Sequence, residues 1–316
     1  MIHKRSLGQT GITISPLVFG GNVFGWTADK ETSFHLLDRF AGAGFETVDT
    51  ADVYSVWKAG NRGGESETII GEWLQSRGCR DRTIVITKVG MQMAPERKGL
   101  SAAWIEREVE DSLRRLQTDY IDVYLSHKYD PDTPHEETLT AYQKLIKAGK
   151  VRAIGASNFD APQLRAALDA ADANGLPRYE VLQPEYNLYD RKNFDGALRD
   201  LATAEGLGVI TYYSLARGFL SGKYRSEADL GQSPRGGGIK AYLNERGFRI
   251  LQALDDVAAR HRAQPAEVAL AWLMACPGVT APIASATRLD QLESLIRSAS
   301  LTLAPGDLAV LEAAGS

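Results

Sequence analysis

Two rhythms of apolar residues alternate along this chain. Short apolar or β-branched runs read as buried strands over 17–19, 47–49, 84–88, 121–125, 153–155, 180–183, 209–212 and 280–283. Helical spacing fills the intervals, over 31–43, 66–77, 102–116, 136–148, 161–173, 194–205, 243–262 and 289–298. In the third of these helices Ile105, Val109, Leu113 and Leu116 recur on one face, an apolar stripe to lay on a sheet. Asp160 before Ala161-Pro162 marks a helix start, an acidic cap with a proline in the first turn, and Asn174-Gly175 marks a left-handed stop. Near the start, Gly8 and Gly11 around Gln9-Thr10 mark a turn between two short strands.

Each strand is followed by a helix, with no long linker and no low-complexity tract. That order predicts an α/β fold: a (β/α)8 TIM barrel over 1–316 as one domain, with a short N-terminal β-hairpin. An open doubly wound sheet is the alternative, and it wants a glycine fingerprint after its first strand. Gly20-Gly21-Asn22-Val23-Phe24-Gly25 does not supply G-x-G-x-x-G. Two connections exceed what barrel loops need. The stretch 56–64 carries Trp57, and 214–241 holds Lys223, Arg235 and Gly236-Gly237-Gly238. Long loops at a barrel's active face usually cover a ligand.

Composition narrows the classes. Hydrophobic residues make up 44% and charged residues 24%, which suits a soluble protein with a sizeable core. Lys+Arg 36 against Asp+Glu 40 gives a net charge of −4, which argues against a nucleic-acid surface. Cys79 and Cys276 match no metal or redox spacing, and no apolar run approaches membrane-spanning length. A cytoplasmic protein without nucleic-acid or membrane partners is the expectation.

Candidate chemistry gathers at strand ends. Asp49 closes the second strand and Tyr54 follows five residues on; Lys88 closes the third; His127 follows the fourth. Singly, each has an ordinary structural reading. Lys88 is the odd member: in line with Ile84 and Ile86 it points inward, where an unpaired cation is costly. Four such residues at three successive strand ends have the shape of a barrel active site. A tyrosine has a pKa of about 10, poorly matched to neutral pH, and a lysine beside it favours the phenolate. Tyr54 is therefore read as a general acid, Lys88 as its tuner, Asp49 as the lysine's partner and His127 as the substrate's orienter.

The chain resembles the aldo-keto reductase family over nearly its whole length. The similarity runs through Asp49-Thr50-Ala51-Asp52-Val53-Tyr54, Ile86-Thr87-Lys88, Asp122-Val123-Tyr124-Leu125-Ser126-His127 and Ile154-Gly155-Ala156-Ser157-Asn158-Phe159. It continues through Gln183-Pro184-Glu185-Tyr186-Asn187-Leu188 and Ser221-Gly222-Lys223-Tyr224, and His127-Lys128-Tyr129-Asp130-Pro131 is similar to the microbial and potassium-channel beta-subunit-like branches. The resemblance implies an NADP(H)-dependent oxidoreductase, NADPH being expected over NADH, that acts on small carbonyl substrates. It also implies cofactor contacts at Gly21, Asn22 and Asp49, at Ser157, Asn158 and Gln183 for the carboxamide, and at Tyr212 for ring stacking. Tyr213, Ser214, Leu215, Ala216, Lys223 and Arg235 are expected near the phosphates, and Ser285, Thr287, Arg288 and Gln291 at the adenosine phosphate. Tyr212-Tyr213-Ser214-Leu215 departs from the family's Tyr-Ser-Pro-Leu, Ser285 stands where glycine is usual, and Ser294-Leu295 replaces a common Glu-Asn pair.

Phe24, Trp26, Trp57 and Tyr129, with His127, are candidates to surround the carbonyl. The rival from another class is a cofactor-holding regulatory or sensor subunit with little turnover. A metal-dependent hydrolase is poorly supported, because His3, His35, His127, His135 and His261 form no ligand-spaced pair. No metal is expected.

Overall fold

The computed structural model describes residues 2–234 and 236–316, so Arg235, a candidate phosphate ligand, lies outside the described residues. In chain order the elements are β1 (Arg5–Ser6), β2 (Thr13–Ile14), β3 (Val18–Gly20), α1 (Lys30–Gly42), β4 (Thr47–Asp49) and α2 (Glu65–Arg77). Next come β5 (Ile84–Val89), α3 (Ala102–Leu116), β6 (Ile121–Ser126), α4 (His135–Lys147), β7 (Val151–Ser157) and α5 (Ala161–Asn174). Then follow β8 (Val181–Gln183), α6 (Ala197–Ala204), β9 (Gly208–Thr211), α7 (Glu245–His261) and α8 (Pro265–Ala275). The chain closes with β10 (Ala281–Ala284), α9 (Leu289–Ser298) and α10 (Pro305–Gly315). Strands β3 to β10 pair in parallel with their sequence neighbours, and β10 closes on β3. The result is the (β/α)8 barrel, with β1 and β2 forming the antiparallel hairpin ahead of it.

Two-residue alternation sorts every strand. Val85, Tyr124, Ile154, Leu182 and Val209 face the helices and join the main core. Val18, Ile86, Val123, Leu125, Ala153, Val181, Ile210 and Ile283 form a separate apolar cluster inside the barrel. The inward series continues past these apolar rungs to Lys88 on β5, Ser157 on β7 and Gln183 on β8. Asp49 ends β4 in register with Gly20 and Ile86, and Ser157 pairs directly with Gln183. The chemistry therefore collects at the C-terminal rim.

The hairpin plugs the other end. Leu7, Ile12 and Ile14 join the interior cluster from below. Gly8 has φ 57, and a Cβ built there would lie 2.4 Å from the Gly208 nitrogen; one built on Gly208 would lie 2.6 Å from the Gly8 nitrogen. Only two glycines let the turn sit this close to β9.

Local helix signals hold where they were readable. Asp160 caps α5 in a reciprocal box with Gln163, Pro162 lies in the first turn, and Gly175 stops the helix at φ 60. The helix expected over 243–262 is α7. It packs on α8 and α10, while α8 packs on β10 and α9. Helices α8 and α10 lack a readable period for a physical reason. In α8 the run Val268–Met274 is buried throughout, and in α10 the exposed side carries Ala309 and Val310, so neither shows an apolar face against a polar one. Pro265 and Pro305 in their first turns were the available signal. Among the described residues no helix is long and apolar enough to cross a membrane.

Candidate active site

Lys88 is fully buried and uses all three ammonium hydrogens. It donates to Asp49 Oδ2 at 2.7 Å, to the Thr50 carbonyl at 2.7 Å and to the Tyr54 hydroxyl at 2.9 Å. Tyr54 in turn donates to Asp49 Oδ2 at 3.2 Å, and Gln183 Nε2 donates to Asp49 Oδ1 at 2.8 Å. A buried cation and a buried carboxylate are thus neutralised by one another and saturated with hydrogen bonds, the condition under which such a pair survives inside a barrel. Burial lowers the Lys88 pKa, opposed by Asp49. Burial and then Asp49 raise that of Tyr54 well above its ordinary value. The lysine's expected pull toward phenolate is therefore outweighed, and the phenol stands protonated, ready to donate.

His127 completes the rim. Its ring lies 6.0 Å from that of Tyr54, centroid to centroid, and its Nδ1 is buried with no partner among the described residues. Burial and then the Lys88 charge push its pKa well below the usual histidine value. A neutral imidazole results, with one ring N–H to offer and one nitrogen to accept.

A second network ties this centre to the neighbouring strands. Ser157 Oγ donates to the Gln183 carbonyl at 2.8 Å, and Asn158 Nδ2 donates to the His127 carbonyl at 2.8 Å and to Ser157 Oγ at 3.1 Å. Tyr212 donates its hydroxyl to Asn158 Oδ1 at 2.6 Å. Asn158 holds φ 56, a left-handed position that asparagine tolerates better than most residues. The structure thus brings Ser157, Asn158, Gln183 and Tyr212 into one connected group with Asp49 and His127.

The backbone beyond β9 is unusual. Tyr213, Ala216 and Arg217 carry φ values of 50, 47 and 59, and Gly218 follows at 106. These left-handed residues turn the chain sharply, and the Ala216 and Gly218 nitrogens already donate to the Tyr213 and Leu215 carbonyls at 2.7 and 2.8 Å. Ser214 turns its hydroxyl inward to the Thr211 carbonyl at 3.0 Å, leaving backbone groups as this loop's offering, and Leu215 is half-buried. Lys223 runs past Gly218, 3.8 Å from the Cβ position there. Arg217, absent from the residues expected at the phosphates, sets its guanidinium 4.6 Å from the Tyr213 ring centre. The neighbouring Ala216-Arg217-Gly218 carries no residue-level signal for it beyond an arginine before a glycine.

At the first and last strands, Ser285 donates to Asn22 Oδ1 at 2.6 Å, bridging the loops after β10 and β3. Gly21 approaches the Asp49 carbonyl so closely that a Cβ would lie 3.1 Å from it. At the start of α9, Gln291 Oε1 accepts from the Thr287 nitrogen at 2.9 Å and its hydroxyl at 3.2 Å, while the exposed Arg288 pairs bidentately with Asp290.

The aromatic candidates divide. Trp57 is 48% exposed and its ring lies 6.1 Å from that of Tyr54 and 5.6 Å from that of Trp26. Tyr129 is half-buried against His135 and Phe159. Phe24 departs from expectation: it is fully buried and stacked on Phe19, so it belongs to the core and offers a substrate no surface. The glycine that follows, Gly25 at φ 73, turns the chain so that Trp26 reaches the rim instead.

A groove of about 760 Å³ lies at the opposite, hairpin end, lined by Gln9, Arg178, Glu180 and Glu205 among others. Its Arg178 is already held by Asp172 and Glu205, and it contains none of the rim residues. That groove stands apart from the residues gathered at the rim.

Comparisons with known proteins agree with the geometry. A family model described as the aldo/keto reductase family matches residues 16–315. The chain is 34% identical over 308 residues to an uncharacterized oxidoreductase, YrpG, of Bacillus subtilis (strain 168), covering 94% of this chain and 91% of that one. It is 33% identical to the aldo-keto reductase YhdN of the same organism, covering 96% and 90%. A probable voltage-gated potassium channel subunit beta of Arabidopsis thaliana is 32% identical, covering 94% and 91%.

Proposed function

Because this chain belongs to the aldo/keto reductase family, whose members are nicotinamide-dependent oxidoreductases, we propose that it reduces aldehydes and ketones, or oxidises the corresponding alcohols, with NADP(H). The observation that carries the reading is the saturated Lys88–Asp49–Tyr54 centre beneath an open rim. The residues present fit such a cofactor: the half-buried Tyr212 ring stands at the end of β9, joined through Asn158 to Ser157 and His127. Ser157, Asn158 and Gln183 would hold the carboxamide, Tyr212 the ring, the 213–216 backbone with Lys223 the phosphates, and Thr287, Arg288 and Gln291 the adenosine phosphate. Gly21, Asn22 and Ser285 border the same space. When bound, the nicotinamide supplies or accepts the hydride.

The protein's own part is the proton. Hydride addition to a carbonyl leaves an alkoxide, and Tyr54 stands protonated beside the place where it forms. Its hydrogen swings from Asp49 Oδ2 to the alkoxide, giving up a long 3.2 Å bond. As the phenolate develops, Lys88 stabilises it through the 2.9 Å contact while Asp49 and the Thr50 carbonyl hold the ammonium in place. Neutral His127 directs a ring N–H at the carbonyl oxygen and orients it toward Tyr54. Lys88 and Asp49 act on the substrate only through Tyr54.

Preference for NADPH rests on the start of α9. Its free N–H groups and dipole favour a phosphate, and Arg288 adds a fork of donors. The competing Arg288–Asp290 pair is exposed, the kind of contact worth about 0–1 kcal/mol, so a dianionic phosphate displaces it. Steady-state assay of a carbonyl panel with both cofactors tests the function. Charge-assisted bonds of roughly 1.5–3 kcal/mol mean that Arg288→Ala weakens NADPH by about tenfold to a hundredfold and leaves NADH nearly unchanged. Equal affinity of the wild type for both, or equal losses in the variant, removes the phosphate assignment. The resemblance to a channel subunit keeps a low-turnover sensor as the second reading; sustained turnover of any simple aldehyde decides against it.

A further inference from the structure

The groove at the hairpin end has the build of a binding site. Its walls come from the end of α4, the start of β7 and the segments just ahead of β8 and β9. Its volume of about 760 Å³ lies within the ~300–1,000 Å³ usual for small-molecule sites. Ile146, Leu176 and Leu207 give it an apolar face, each only partly covered by the core behind. Glu180 is its anomaly. Val181 points into the barrel, so the two-residue alternation sends Glu180 outward, to the groove. Its backbone is fixed on both sides: the N–H donates to the Ile154 carbonyl at 2.9 Å, and the carbonyl accepts from the Gly208 N–H at 2.9 Å. Yet its half-buried carboxylate meets no hydrogen bond or ion pair among the described residues, and burial alone raises its pKa.

The other charges of the groove are already matched. Arg178 is held by Asp172 and Glu205, Glu205 also takes Arg165 at 2.7 Å, and Arg152 takes Asp122 at 2.6 Å. What remains is one carboxylate beside an apolar face, and burying part of a charge without a partner is costly until a cation covers it. We propose that the groove binds a small amphipathic amine, whose ammonium meets Glu180 and whose apolar body lies on Ile146, Leu176 and Leu207. An anion finds no unmatched guanidinium there. A bare metal ion fits poorly, since among the described residues no three His, Cys, Asp or Glu side chains are grouped to hold one. The groove contains none of the rim residues, so this site is separate from Tyr54 and independent of the oxidoreductase reading.

The test titrates the full chain at neutral pH with 2-phenylethylamine, its neutral analogue 2-phenylethanol and its acidic analogue 3-phenylpropionate. Calorimetry reads affinity, and backbone amide shifts read location. The amine is expected to bind with a Kd of about a millimolar or tighter, and the alcohol and the acid about tenfold more weakly or worse. Shifts centre on Arg178, Gly206 and Leu207 and leave His127 and Tyr212 unmoved. Glu180→Gln keeps the shape and removes the charge, so the fold holds while the amine weakens by about tenfold to a hundredfold. Leu176→Ala trims the apolar face and weakens the amine by about threefold to tenfold. Three outcomes each overturn the site: no amine binding up to roughly 10 mM, affinity in Glu180→Gln within about twofold of the wild type, or shifts confined to the rim.

Discussion

Two groups of buried charge sit on opposite faces of the same barrel wall. Inside, Lys88 meets Asp49; outside, beneath α2 and α3, Arg115 meets Glu67 at 2.7 Å and Glu108 at 2.6 Å, with Thr87 donating to Glu67 at 2.5 Å. Lys88 and Thr87 are neighbours on β5, sent to different sides by the pleat. The inner group opens to the rim through Tyr54, while Glu67 and Glu108 are fully buried under helices. The inner group is also saturated. The outer one leaves Glu108 Oε2 and both Asp52 oxygens without partners among the described residues. Burial and then Glu67 and Glu108 raise the Asp52 pKa well above its ordinary value, so that carboxyl is held neutral. Buried charge alone therefore does not mark a catalytic centre; an outlet to the rim does. The outer group ties α2, α3 and β5 together through Arg115, Glu67 and Thr87.

Substitutions should separate the two groups by what they damage. The largest effect is expected at the outlet. Tyr54→Phe keeps the ring but lowers turnover by about 10²–10⁴, the usual worth of a general acid, with thermal midpoint and cofactor affinity little changed. Near-normal turnover in that variant removes Tyr54 from the mechanism. Arg115→Met is the mirror image. Stranding Glu67 and Glu108 under the helices costs about 3–5 kcal/mol of stability, read by urea unfolding, while the folded fraction keeps its kcat. A loss of kcat in folded protein would erase the distinction drawn between the groups.

Lys88→Met is expected to touch both quantities. It lowers turnover roughly tenfold to a hundredfold and shifts the pH dependence of reduction upward, since the developing phenolate loses its cation. A lower midpoint with an unmoved pH–rate profile would make the lysine purely structural. Asp52→Asn is expected to touch stability alone, with a sign that follows from linkage. The folded pKa is raised, so the contribution of Asp52 to stability is fully present below the unfolded carboxyl value of about 4 and is lost as pH rises toward the folded value. Relative to wild type, Asp52→Asn should therefore gain stability between pH 5 and 8 by at most about 1.4 kcal/mol per pH unit. Midpoints measured across that window check it, and a constant offset would mean that Asp52 carries the same charge folded and unfolded there.

Much of the inner group was legible because a strand has a period of two. Ile84, Ile86 and Lys88 share a parity, and that parity alone places the lysine inside the barrel. Tyr54 and His127 followed from their distance to strand ends. The outer group was not legible, since Glu67 and Glu108 sit on helical faces where carboxylates ordinarily meet water. Phe24 misled for a related reason: a loop aromatic near the rim looks like a pocket wall until Gly25 turns the chain. Helix α8 escaped because a helix covered on every side has no polar face to reveal it. Arg217 escaped because its place depends on left-handed turns that spacing does not encode.

The hairpin at the barrel floor has a consequence for traffic. With Gly8 and Gly208 pressed together and Leu7, Ile12 and Ile14 joining the apolar side chains that fill the interior, the barrel is a solid plug from its floor up to the rim. A molecule that meets Tyr54 therefore comes and goes from above, without passing through the barrel.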